Sequence, residues 1–229
     1  MRELTVILVG LLSAVGIVGI VSAEIIDFES GFVDQQAVST VIAGSTEVTF
    51  WVKQNGIEYP AYIAKVGLPQ TAFGATQDTP RGGVGGSYFL TDNSQIPTER
   101  KADYFMTFSH EVVNLSLNIY DYYDYAGGLA TLSVFADEEM TLLAGMDTWE
   151  SWNPPDEWED ATVATLSVQN PSAPIRAASV TFSPVDSGTG IDDIRFEPLP
   201  EPSTLALLAM GTVGLLGYVL RKRRRSVGR

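Results

Sequence analysis

The sequence predicts an all-β domain, an antiparallel two-sheet β-sandwich of the jelly-roll kind. Three features of the chain predict it: apolar residues alternate with polar ones, the alternating runs are short, and clusters of Gly, Pro, Asn and Asp separate them. The interior of the chain shows no helical period. Many short strands, each with one apolar face, favour two packed sheets that share a core.

The clearest strands have one apolar face and one polar face. From Glu47 to Val52 the residues Val48, Phe50 and Val52 share a face, and from Val113 to Ile119 apolar residues alternate with Asn and Ser. The other predicted strands, in chain order, are Ile25 to Phe28, Tyr59 to Val66, Tyr88 to Thr91, Tyr104 to Ser109, Ala130 to Ala136, Thr162 to Val168, Ala178 to Phe182 and Ile191 to Phe196.

Residues 1–23 are predicted to be a signal peptide. A positive start at Arg2 precedes an apolar run from Leu4 to Ile20, and the small residues of Val21-Ser22-Ala23 suit signal peptidase. Cleavage is expected before Glu24, with an uncleaved N-terminal anchor as the alternative. The β-sandwich domain is then expected over residues 24–197.

Residues 198–229 have the composition of a membrane-sorting segment. A Pro-Glu-Pro box at 200–202 is followed by an apolar run at 204–220, long enough for a transmembrane helix, and by a basic tail at 221–229. The basic tail should stay on the cytoplasmic side of the membrane. The domain before it is therefore expected outside the cytoplasm.

This order of parts resembles the PEP-CTERM sorting signal of bacterial exported proteins. The resemblance implies recognition by an exosortase, a membrane cysteine protease that removes the anchor at or near the box; an uncut single-span anchor is the alternative. It also implies an inner-membrane stage and then the cell surface or extracellular matrix. The residues that would carry the signal are Pro200, Glu201, Pro202, Arg221, Lys222, Arg223, Arg224 and Arg225.

Charge and cysteine content limit the possible partners. Residues 24–200 hold 7 Lys plus Arg and 26 Asp plus Glu, a net charge of −19. Such a surface repels nucleic acid and attracts divalent cations, so nucleic-acid binding is excluded. The chain has no cysteine. The exported domain must therefore be held together without disulfides, by its core and by any metal it binds.

The first and last predicted strands carry a second resemblance. Ile26-Asp27-Phe28-Glu29 and the closing Gly190 to Phe196 look like the jelly roll of carbohydrate-binding modules, which implies adjacent first and last strands with a structural calcium near them. Oxygen ligands suit Ca²⁺, and the candidates are Asp27, Glu29 and Asp192. Strand alternation turns Asp192 inward and Asp27 and Glu29 outward. The alternative is that turn amides of Gly188-Thr189-Gly190 satisfy Asp192.

Catalysis has little support in the sequence. The single histidine, His110, lies beside Glu111 where the apolar phase shifts, and we expect a turn residue there. With one His and no Cys, a Cys-His site or a His-rich zinc site is excluded. The prediction is a non-catalytic protein. Paired-carboxylate glycoside hydrolysis stays open as a third possibility, because acids are abundant.

Aromatic residues flanked by acids predict a polysaccharide site. Aromatic rings stack on sugar faces while carboxylates accept hydrogen bonds from sugar hydroxyls. Trp51, on the polar face of its strand, is a further candidate. One alternative is that the rings cover the ends of the sandwich; another is a structural, self-associating or protein-binding matrix component. The candidate sugar-binding residues are Tyr120, Tyr122, Tyr123, Tyr125, Trp149, Trp152 and Trp158.

Overall fold

A computed structural model describes most of the predicted domain. It covers residues 22–65, 87–92, 102–120, 128–150, 163–183 and 189–199, and also 211, 212, 214–216 and 218. The chain divides into two units: Ala23–Pro198 is one, and Met1–Ser22 with Leu199–Arg229 is the other. Residues 1–21 of the predicted signal peptide and the Pro-Glu-Pro box lie outside the described residues.

The first of these units is built from antiparallel strands, which confirms the all-β fold class. Every pairing between its strands is antiparallel. The strands are β1 (Glu24–Ile26), β2 (Ala37–Val38), β3 (Thr40–Ala43), β4 (Thr46–Gln54), β5 (Ile57–Tyr59), β6 (Ala61–Lys65), β7 (Tyr88–Thr91), β8 (Asp103–Tyr120), β9 (Leu129–Phe135), β10 (Leu143–Glu150), β11 (Val163–Val168), β12 (Ile175–Ser183) and β13 (Gly190–Pro198).

Strand β8 is long enough to belong to both layers of the sandwich. Its first part pairs with β4 and β12, and its second part pairs with β11 and β13. The described strands are hydrogen-bonded into one sheet of 13 strands, and β8 connects its two layers. The layer that we call the first sheet runs β10-β9-β12-β8-β4, with β3 and β5 beside β4. The second sheet runs β11-β8-β13-β7-β6-β2, with β1 also beside β13. A strand that passes from one sheet to the other forms a corner of a sandwich.

Aromatic side chains fill the space between the two sheets. The ring of Phe108, on the first sheet, meets that of Phe196, on the second, edge to face at 5.3 Å. Phe28, which follows β1, meets Phe50 of β4 at 5.9 Å. All four rings are buried. Burial of such a side chain stabilises the fold by about 1.5–3 kcal/mol, so contacts of this kind hold the layers together without disulfides.

The structure corrects the expected turn at His110. Residues Tyr104–Ser109 and Val113–Ile119, predicted as two strands, are parts of the single strand β8, and His110 lies within it. The apolar phase does not shift at His110, because Val112 is buried on the same face as Met106 and Phe108, and Val113 is only half-buried. The phase shifts once, at Asn114, whose φ of 55° marks a bulge, and Leu115 is the next buried residue.

Four strands were not predicted from the sequence: β2, β3, β5 and β10. The first three have only two to four residues each. In β10 the apolar pattern is broken by Gly145 and Asp147, and Leu143 and Met146 are exposed. Periodicity is too weak a signal for strands that lie at the margin of a sheet.

The predicted membrane helix is described at only a few positions. Residues 211, 212, 214–216 and 218 are helical. Across the described part of the chain, no helix has both the length and the apolar character needed to cross a membrane. The helix at 204–220 therefore stays a prediction.

Candidate functional site

The first and last strands of the domain lie side by side. Glu24 is opposite Phe196, and Ile26 is opposite Ile194 in the antiparallel pair of β1 and β13. The resemblance to the jelly roll of carbohydrate-binding modules implied this adjacency. The chain therefore enters and leaves the sandwich on neighbouring strands, and the calcium candidates belong to this strand pair and the loop after β1.

Asp192 is a buried acid on the inner face of β13. Its side chain is only 1% exposed, and Oδ1 has no hydrogen-bond partner among the described residues. Burial is the main cause that raises its pKa to about 9; a backbone hydrogen bond at Asp193 opposes the shift, and the charges of Asp193, Glu29 and Asp27 add to it. At neutral pH the carboxyl group is therefore protonated.

Asp27 and Glu29 accept hydrogen bonds from the backbone. Oδ1 of Asp27 accepts from the N–H of Glu29 at 3.2 Å. Oε1 of Glu29 accepts from the N–H groups of Ser87 and Tyr88, the latter at 3.0 Å, which joins the loop after β1 to β7. The described residues include no group of three or more acidic, His or Cys side chains placed to hold a metal. Calcium therefore stays a prediction.

Most of the predicted aromatic site lies outside the described residues. Tyr122, Tyr123, Tyr125, Trp152 and Trp158 belong to segments that the structure does not describe. The two candidates that remain lie on different strands.

Tyr120 and Trp149 occupy strand positions. Tyr120 is the last residue of β8, opposite Gly190 of β13. Trp149 pairs with Ala130, is half-buried and packs against the core. A ring that packs against the core has less surface to offer a ligand. For Trp149, this contact favours the alternative in which the rings cover the sandwich.

A different aromatic pair lies on the outer face of the first sheet. Trp51 of β4 is directly opposite Phe105 of β8, and their rings are stacked at 5.7 Å with 13° between their planes. Both side chains are half-buried. The sequence pointed to Trp51 and missed Phe105. The signal was present, because Phe105 lies between Tyr104 and Met106, which are buried, and so falls on the outer face.

Small hydroxyl side chains continue this row across the sheet. Phe105 is opposite Ser179 of β12, Ser179 is opposite Ser133 of β9, and Ser133 is opposite Met146 of β10. Ser179 is 4% exposed, whereas Met146 is 56% exposed. Ser179 and Ser133 therefore lie between two bulkier neighbours in this row, Phe105 and Met146.

The outer face of the second sheet differs, because its polar groups bind one another. Asn118 donates to Oδ2 of Asp193 at 2.9 Å and accepts from the hydroxyl of Thr165 at 2.7 Å. Asn114 donates to Oε2 of Glu197 at 3.2 Å. These internal hydrogen bonds use capacity that an external ligand would need.

Within the described part of the chain, Ser109 and His110 bring a hydroxyl close to an imidazole. Oγ of Ser109 lies 3.1 Å from Nδ1 of His110, but the same oxygen accepts a hydrogen bond from the N–H of Glu47 at 2.9 Å. The pair stands on adjacent residues within β8, and the serine helps to hold β4 against β8.

A β-sandwich followed by a Pro-Glu-Pro box, an apolar run and a basic end defines the class of exported proteins that are sorted through the membrane to the cell surface. Residues 198–225 match the PEP-CTERM protein-sorting motif. The motif begins at Pro198, the last residue of β13. The predicted sorting signal is confirmed, and the chain is an exported protein processed by an exosortase. A comparison with curated proteins finds no match.

Proposed function

We propose that the domain binds polysaccharide without cleaving it, at the cell surface or in the extracellular matrix to which it is sorted. The observation that carries this proposal is the stacked pair of Trp51 and Phe105 beside the hydroxyl row of Ser179 and Ser133. Rings that stack on sugar faces and hydroxyls that exchange hydrogen bonds with sugars are the parts of a saccharide site.

The charge of the domain restricts the polymer. A net charge of −19 over residues 24–200 repels anionic polysaccharides. Neutral or amino-sugar polymers are therefore the class that fits. Their binding should weaken little in moderate salt if stacking and hydrogen bonds dominate, because salt screens only the charged interactions.

Retention of the purified, processed protein on polysaccharide tests the proposal. We expect retention on the host's own exopolysaccharide or on a neutral glycan, with no release of reducing sugar. Trp51→Ala and Phe105→Ala should each weaken retention about tenfold or more, equivalent to about 1.4 kcal/mol. Ile42→Ala is the matched control, because Ile42 is 72% exposed but lies on β3, away from the row.

The proposal fails if the wild-type protein is not retained with or without calcium, or if the two aromatic variants bind as well as the control. Turnover of glycosidic bonds that disappears on replacement of a single Asp or Glu would instead indicate an enzyme.

A structural matrix component is the second candidate, and one feature favours it. Leu142, Leu143 and Met146, at the margin strand β10, are 62%, 56% and 56% exposed. Exposed apolar residues along a strand at the end of a sheet favour contacts between copies. Self-association seen by light scattering, without retention on sugar, would favour this candidate. Its loss in EDTA would tie assembly to calcium.

A further inference from the structure

The first residue of β1, Glu24, carries a carboxylate that faces the interior. Glu24 alternates with the exposed Ile25 and shares its face with Ile26, which is 3% exposed. Its carboxylate lies against Gly44 of the β3–β4 turn, where a Cβ would collide with it and where φ is 55°. Oε2 is buried and has no hydrogen-bond partner in the described part of the chain.

A buried carboxylate oxygen without a donor is costly, so the position calls for a cation or a donor. Arg195 is the basic residue of the neighbouring strand, opposite Ile25. It faces the other way, with its guanidinium 3.7 Å from Asp193 on the outer side of the sheet. The strand pair itself therefore does not supply the charge that Glu24 needs.

We propose that signal-peptide cleavage before Glu24 supplies the missing partner, an α-ammonium group on Glu24 itself that pairs with its buried carboxylate. Water adds to the carbonyl carbon of Ala23, the bond from that carbon to the nitrogen of Glu24 breaks, and Ala23 leaves as a carboxylate. The nitrogen of Glu24, a neutral amide before cleavage, takes up protons and becomes a cation.

Cleavage therefore stabilises the domain at the pair of β1 and β13, where its first and last strands meet. The pairing holds β1 in the register that places Glu24 opposite Phe196. Because β13 ends where the sorting motif begins, the stabilised strand pair is also the one from which the sorting segment leaves. The proposal depends on export and signal cleavage, and it is independent of polysaccharide binding.

The test uses the processed protein purified after expression of the full chain, with the N-terminus identified by intact mass. Glu24→Gln should lower Tm by about 2–4 °C, the shift expected for loss of one modest interaction in a domain of this size. Selective acetylation of the α-amine should lower it as much. The two changes together should lower it no further than either alone, as for two halves of one interaction. Glu139→Gln, at an exposed turn position, is the control.

The direction of the change separates the alternatives. If the Glu24 carboxylate stayed unpaired after cleavage, Glu24→Gln would raise Tm or leave it unchanged, because it would remove a buried charge. Additive effects of the two changes, or a mature N-terminus other than Glu24, would also overturn the proposal.

Titration of the α-amine gives a readout that does not depend on stability. Its pKa, measured from the pH dependence of a methyl label, should lie above the ordinary value of about 7.7–8.0 in the wild-type protein and return to it in Glu24→Gln. Equal values in the two proteins would contradict the pairing.

Discussion

At the residue scale, Asp192 makes the stability of the domain depend on pH. Its pKa is near 3.8 in the unfolded chain and about 9 in the fold, so between these values the folded state holds one more proton. The free energy of unfolding that is linked to this proton is fully present below pH 3.8 and is lost as pH rises through about 9. The slope is at most about 1.4 kcal/mol per pH unit.

Asp192→Asn should remove this dependence, because an amide does not titrate. In EDTA, the free energy of unfolding of the variant relative to that of wild type should increase steadily from about pH 4 to about pH 9 in denaturant titrations. This range lies between the unfolded and folded pKa values of Asp192. Glu139→Gln should show no such trend. A constant difference across the range would contradict a buried neutral acid.

The same titration with calcium checks the prediction of a calcium site from the sequence: a bound ion would stabilise wild type and not Asp192→Asn.

A second residue-scale prediction concerns Tyr104 of β8, whose hydroxyl contacts the residue after β7 and the residue before β13. The hydroxyl donates to the carbonyl of Thr189 and accepts from the N–H of Asp92 at 2.9 Å. Tyr104→Phe leaves a buried N–H without that acceptor, so we expect a loss of about 1–3 kcal/mol in the free energy of unfolding.

Thr91→Val provides the comparison for Tyr104→Phe. Thr91 donates to the same carbonyl of Thr189 at the longer distance of 3.2 Å. Thermal unfolding should show a smaller loss for Thr91→Val than for Tyr104→Phe. Equal losses would mean that the hydroxyl of Tyr104 contributes no stability beyond a hydrogen bond to the carbonyl of Thr189.

At the element scale, β8 shows what periodicity predicts and what it misses. Alternation located both halves of the strand, because a period of two is a local property of a half-buried strand. It was wrong at Val113, since Val112 is the buried residue and Val113 is half-buried. It could not show that the halves are continuous. A phase shift has the same appearance in a sequence whether the chain turns back or continues through a bulge, and only long-range pairing with β12 and β13 decides between them.

The bulge of β8 gives the element-scale prediction. Asn114 has a φ of 55°, in the left-handed region that β-branched residues avoid, and its amide accepts from the N–H of Asn170 at 3.0 Å. Asn114→Val should therefore lower the free energy of unfolding by about 2–4 kcal/mol, through backbone strain and lost hydrogen bonds.

Asn114→Gly separates these two causes. Glycine adopts a positive φ without strain but has no amide, so it should lose less than valine, about 1–2 kcal/mol in denaturant titrations. If valine and glycine destabilise the protein equally, backbone strain at the bulge is not the reason for the asparagine.

At the scale of the whole molecule, the sorting segment was more predictable than the binding face. The Pro-Glu-Pro box, the apolar run and the basic tail are contiguous in the chain, so the sequence alone identified them. The pairing of Trp51 with Phe105 and with the serine row requires the strand order β4-β8-β12-β9, which joins distant parts of the chain. The sequence therefore predicted aromatic residues in contiguous loops and missed an aromatic row assembled across strands.

Replacement of Pro200-Glu201-Pro202 by three alanines tests exosortase processing of the whole protein. The wild-type protein should lose its tail and with it 6 of the 14 Lys and Arg residues, all of which follow residue 220. The mature protein should therefore focus at a lower pI than the precursor and leave the membrane fraction. The variant should keep the precursor's pI and mass and stay with the membrane, because the protease no longer recognises it. Ser226→Ala, within the tail but outside the box and the basic cluster, should be processed like wild type. Release of the triple-alanine variant with the mature mass would show that the box is not what the protease recognises.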